Sequence, residues 1–156
     1  MTLRRILVPV DFSACSDLAL DWARSVSGAE TEITVLHVWE APAYSGMESL
    51  MVVHEAGKPN QTLNEYVHGQ AKKELDAQVE RARSRGVKIA AVELVAGAPD
   101  DVVVRRSEEF DLVVMGTHGR GLIAHLLVGS VAERVVRKAK CAVLTVREAQ
   151  NPPKDG

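Results

Sequence analysis

Residues 111–140 read DLVVMGTHGRGLIAHLLVGSVAERVVRKAK. Leu112 to Met115 is a short, valine-rich apolar run, of the length of a strand buried on both faces of a parallel sheet, and Gly116 ends it. Gly119, Gly121 and Gly129 follow, then Ser130 with Glu133 three residues on, the spacing of a capping box that opens a helix. Val131, Val135 and Ala139 share one face of that helix. The stretch therefore predicts a strand, a glycine-rich loop and a helix, and its chemistry lies in the backbone.

Glycines let the main chain turn without a Cβ between its amides and a guest, so N–H groups can converge on phosphate oxygens. The unpaired amides at the start of the following helix, with about half a positive charge from its dipole, favour an anion at the same spot. No Gly-Lys-Ser or Gly-Lys-Thr follows the glycines, so the pattern is not a P-loop, and it is not GxGxxG. Gly116, two residues, Gly119, nine residues, then Gly129 and Ser130 resemble the signature of the universal stress protein family. The resemblance runs from the first strand, ILVPVDFS, to the last, CAVLTVR.

That resemblance implies the ATP-binding branch of the family, in which this loop holds the triphosphate and ribose. It implies adenosine contacts from Asp11 in VPVDFS, beside Pro9 and Val10, and a base contact from Val38. Around the phosphates it places Met115, Gly116, His118, Gly119 and Arg120, and after the loop Gly129, Ser130 and Val131. ATP is the expected ligand, with ADP or AMP as alternatives and magnesium as an accompanying ion. One departure stands out: Ala132 occupies a position where ATP-binding relatives often carry a second hydroxyl.

A chain of 156 residues fits one domain, here residues 1–147 with a polar tail over 148–156 expected to be disordered. With 46% apolar and 26% charged residues the composition is that of a folded globular chain. A net charge of −2 without a basic stripe argues against nucleic acid as the main partner. The apolar run before Asp11 is too short for a signal-peptide core and no membrane span is legible, so the cytoplasm is the default. Cys15 and Cys141 lack disulfide or zinc spacing, and Cys15 reads as a small packing residue.

Leu3 to Val10 reads as the first strand. Leu18, Ala19, Trp22, Ala23 and Val26 then give the apolar stripe of a helix over 14–27, capped by Ser13 or Ser16 and stopped by Gly28. Ile33 to Trp39 is the second strand, within which His37 reads as a packed strand histidine. Residues 40–61 show no period; their apolar patch, Leu50 to Val53, suits a short lid helix or a partner contact, and His54 alone is weak evidence for a metal. Val67, Ala71, Leu75, Val79 and Ala82 line a second helix, and Val87 to Ala96 forms a third strand whose Lys88 and Glu93 suit a sheet edge. Pro99 opens a third helix, and Cys141 to Val146 is the fifth strand.

Five strands alternating with four helices predict a doubly wound parallel sheet with helices on both faces, Rossmann-like and similar to adenine-nucleotide α-hydrolases. The family order 3-2-1-4-5 would set Asp11 and the Gly116 loop on either side of one crevice at the switch point. Fast phosphoryl transfer needs a positioned base, a metal-holding carboxylate and cationic clamps, none of which the sequence places, so nucleotide binding with at most weak ATPase activity is expected. The rival readings are a slow ATP hydrolase or adenylating enzyme of the same fold, and a ligand-free dimeric scaffold. The fifth strand, Cys141 to Val146, has no charge, proline or glycine, so a homodimer joined along that edge is expected, beside a protein partner the sequence does not identify.

Overall fold

The computed structural model describes residues 3–40, 50–117 and 129–147. Its main sheet is five-stranded, in the order β5-β2-β1-β6-β7, from β1 (Arg5–Pro9), β2 (Glu32–Trp39), β5 (Ile89–Ala96), β6 (Leu112–Gly116) and β7 (Ala142–Val146). All neighbouring strands in it are parallel. With β3 (Val52–Val53) and β4 (Gln61–Thr62) set aside as a separate antiparallel pair, the order is the expected 3-2-1-4-5.

Helices cover both faces because the central strands are apolar on both. In β1, Ile6 and Val8 face α1 (Ala14–Val26) and α2 (Leu63–Ser84), in a cluster with Leu20, Leu75, Val79 and Val114. Leu7 turns the other way, onto α3 (Pro99–Arg106) and α4 (Ser130–Lys138), with Val103, Val113, Met115 and Val135. This two-residue alternation leaves no face of β1 for water, which explains why the strand reads as a continuous apolar run. Between α1 and α2, Gln78 is wholly buried and donates to Ser16 Oγ at 3.0 Å and Asp17 Oδ1 at 3.1 Å.

Several expectations from sequence are corrected. The patch in 40–61 is not a helix where it is described: Val52 and Val53 pair with Thr62 and Gln61, while Leu50 and Met51 are exposed. Helix α2 starts at Leu63, with a capping box in which Thr62 Oγ1 accepts from Glu65 N–H and Glu65 accepts from Thr62 N–H. Val87 lies before β5, its N–H donating to the Ala82 carbonyl at 3.1 Å and its side chain buried. Ser13, not Ser16, caps α1. The tail over 148–156 lies outside the described residues.

The capping box predicted for Ser130 and Glu133 is not formed. Gly129 holds the N-cap, at φ −68° and ψ 154°, and Ser130 is the first residue of α4. The register is set one residue earlier because Gly129 N–H donates to the Thr117 carbonyl at 2.6 Å and Gly129 O receives Glu133 N–H at 2.9 Å. Ala132 consequently stands where a box would need its glutamate.

Candidate functional site

Strand β1 lies between β2 and β6, and the chain leaves β1 and β6 toward helices on opposite faces. A crevice at the carboxyl ends of these strands follows from that divergence. It is a cavity of about 450 Å³, within the usual range for small-molecule sites.

Pro9 at the end of β1, and Val10 and Asp11 just after it, form part of its wall. Val10 continues the sheet by donating to the Leu36 carbonyl at 2.9 Å. Asp11 is half-buried, and its Oδ1 accepts from Ser13 N–H at 3.1 Å and from the Ser13 hydroxyl. Ser13 in turn caps α1 by accepting from Ser16 N–H at 3.2 Å, so the carboxylate is braced against the start of that helix. Between them Phe12 adopts φ 66°, a left-handed conformation uncommon outside glycine. Its ring lies 4.2 Å from that of His37, between centroids.

His37 also lines the cavity, together with Leu36 and Val38 from the end of β2. Its Nδ1 is 2.7 Å from the Val10 carbonyl. A carbonyl only accepts, so Nδ1 carries the proton in this contact. The sequence reading of His37 as packed is accurate for one edge of the ring and misses that the residue borders the cavity.

From β6 come Met115 and Gly116, and from just beyond it Thr117. A Cβ on Gly116 would meet Cys15 Cβ at 2.7 Å and the Cys15 carbonyl carbon at 3.2 Å, so this glycine permits close passage of β6 beneath α1. Thr117 is buried, with its N–H donating to the Val146 carbonyl at 2.8 Å and its carbonyl accepting from Gly129. The second bond joins the two described ends of the glycine-rich loop, and the first ties them to β7. Gly129, Ser130, Val131 and Ala132 close the cavity at the first turn of α4, and Pro99 and Val103 of α3 form the wall beside them.

A glycine N-cap has no side chain to accept from the first-turn amides, and helix-start amides of this kind favour an anion. Ser130, released from the expected capping role, is exposed at the same mouth. Among the described residues, no group of three or more histidine, cysteine, aspartate or glutamate side chains is placed to hold a metal ion.

Pro9, Val10, Asp11, Val38, Met115, Gly116, Gly129, Ser130 and Val131, singled out from sequence, thus line one cavity. His118, Gly119 and Arg120 lie outside the described residues. The sequence reading missed Thr117, which the glycine spacing passes over, and Ser16 and Pro99, which only the packing of α1 and α3 brings to the crevice.

The universal stress protein family model matches residues 2–147. The chain belongs to the universal stress protein family. Universal stress protein MJ0577 of Methanocaldococcus jannaschii is 25% identical over 154 residues, covering 92% of this chain and 94% of its own. A Staphylococcus aureus (strain USA300) protein named for the same family is 30% identical over 156 residues, covering 97% and 89%. The solved structure of MJ0577 superimposes with a TM-score of 0.75 at 23% identity, over 97% of this chain and all of that one. A further universal stress protein, solved in complex with cAMP, has a TM-score of 0.66 at 24% identity, over 96% of this chain. This universal stress protein therefore shares the family's sheet order over nearly its whole length.

Proposed function

We propose that the cavity binds an adenine nucleotide, ATP first and ADP or AMP by the same contacts, and that the chain is a nucleotide-loaded cytoplasmic stress-response or signalling module with little or no hydrolysis. The observation that carries this reading is the glycine-capped first turn of α4 opening on a cavity of about 450 Å³ at the switch point. Phosphate oxygens would take up the Ser130, Val131 and Ala132 amides, with the Ser130 hydroxyl alongside. Asp11, Val38 and His37, across the crevice, would face the nucleoside. The complex of a structural neighbour with cAMP supports a nucleotide as the class of guest.

Binding is favoured over turnover by the character of the residues present. Asp11 is the carboxylate among the cavity-lining residues, and its Oδ1 is engaged by Ser13, so the described wall offers no cluster for a catalytic metal. Magnesium would then arrive with the nucleotide's own phosphates.

We further infer that the exposed edge of β7 pairs with a second copy, which would continue the sheet across a two-fold axis.

The test is extraction of the purified protein under denaturing conditions, with ion-exchange analysis of what it releases, followed by calorimetric titration of the ligand-free protein with ATP, ADP, AMP and cAMP. Release of ATP or ADP, or submillimolar affinity for any adenine nucleotide without turnover, is expected. Absence of binding to all four would overturn the proposal in favour of a ligand-free scaffold, and steady release of phosphate would favour the enzyme reading.

A further inference from the structure

The first turns of α3 and α4 border the same cavity, through Pro99 on one side and Ser130 to Ala132 on the other. Besides the apolar packing of Val102 and Val103 on Ala132 and Val135, an ion pair made by one side chain of α4 links the two turns. Arg134 stands one turn beyond Ser130 on the same helical face, and helical side chains lean toward the N-terminus, back over the preceding turn. Its Nη1 is hydrogen-bonded to Asp100 Oδ2, and its Nη2 is 3.8 Å from Asp101 Oδ1. Asp100 is the residue after Pro99 and its side chain is only 13% exposed, so the guanidinium is carried to the level of the cavity-bordering turn of α3.

This is an unusual resting place for a cation. Two helix N-termini converge there, each with a partial positive charge that favours anions. The two aspartates compensate it: Asp100 accepts from Asp101 N–H at 3.0 Å through Oδ1 and from Arg134 through Oδ2. Any further anion arriving between the turns competes with Asp100 for the same guanidinium. An arginine fork matches phosphate as well as carboxylate geometry, so the exchange keeps its charge-assisted hydrogen bonds.

We propose that Arg134 reads the length of the ligand's phosphate tail, passing from Asp100 to the β- or γ-phosphate while a single phosphate at the α4 amides leaves the pair intact. The proposal rests on the adenine-nucleotide reading of the cavity. It adds a regulatory consequence: a triphosphate loosens the link between α3 and α4, and a monophosphate preserves it.

The experiment is calorimetric titration of wild type, Arg134→Gln and Asp100→Asn with AMP and ATP, with a thermal melt of each variant. Arg134→Gln should weaken ATP about five- to tenfold, the loss of one partly exposed charge-assisted contact, and leave AMP within about twofold. Asp100→Asn should strengthen ATP by about threefold or more, because the competing carboxylate charge is gone, and again leave AMP unchanged. A purely architectural ion pair would give both substitutions the same sign. Equal losses of AMP and ATP in both variants, or ATP affinity unchanged in Arg134→Gln, would overturn the assignment. The gain expected of Asp100→Asn cannot come from misfolding. Wild type that binds AMP and ATP equally would sink the inference but not the nucleotide reading, whereas wild type that binds neither sinks both.

Discussion

Gly116 shows how one missing Cβ serves a site indirectly. Its spacing with Gly119 and Gly129 suggests that it makes room for phosphate, yet the nearest obstacle to a Cβ there is Cys15 of α1, at 2.7 Å. The neighbouring backbone carbon at 3.2 Å means that no rotamer change in Cys15 relieves the clash. A substitution must push β6 and α1 apart, and α1 carries the Ser13 cap that braces Asp11. Gly116→Ala is therefore expected to lower stability by about 1–3 kcal/mol, the usual cost of overpacking. The check is the midpoint of chemical denaturation. An unchanged midpoint would show that α1 yields freely and that the glycine serves the ligand alone.

Among the elements, the pairing of β1 with β6 is what brings Asp11 and Gly116 together, and a carboxylate pins its start. Asp111 Oδ2 accepts from Arg4 N–H at 2.8 Å and Arg5 N–H at 2.9 Å, while Asp111 N–H donates to the Arg5 carbonyl at 2.9 Å. The hydrogen bond from Arg5, then that from Arg4, hold the Asp111 carboxyl below its ordinary value of 3.8, with the two guanidinium charges acting in the same direction. Because the folded pKa is the lower one, the stabilisation is present above the unfolded pKa and is lost as pH falls through the folded pKa. Asp111→Asn should thus melt below wild type at neutral pH, and the gap should narrow as the pH is taken below about 4. Melting temperatures followed by circular dichroism across that range decide it. A gap of constant size would assign the loss to geometry and not to charge.

At the scale of the whole molecule, the two edges of the main sheet differ in protection. At β5, Glu93 is held by Arg106 at 2.8 Å, so a charge expected to face an incoming strand is tied to α3 instead. At β7 no charged residue occurs in Ala142–Val146, and Ala142 and Thr145 are exposed whereas Val143 packs against the core. The proposed dimer is best tested at the exposed positions, since a charge at Val143 would disturb the core as well. Ala142→Lys with Thr145→Lys is expected to give monomers in sedimentation equilibrium with an unaltered fold. Wild-type monomers at micromolar concentration would remove the interface, and a dimer that survives both lysines would move it elsewhere.

Local signals were enough for the order of the five main-sheet strands and the four helices, though not for the β3–β4 pair. Apolar runs such as Leu112 to Met115, the stripe through Leu75 and Val79, and the glycines bounding them depend on neighbours a few residues away, and the sheet order followed from that pattern and the family resemblance. Asp11, Val38 and Ser130, singled out on the same basis, line one cavity. Three things depended on tertiary structure. The α4 cap moved to Gly129 because Thr117 fixes that residue's amide, a bond across the glycine-rich loop. The tightness at Gly116 comes from a helix distant in sequence. The Arg134 link to Asp100 joins two helices whose relative placement no local spacing encodes. Short-range patterns decide which residues form strands and helices, and only packing decides which backbone atoms are left for a ligand.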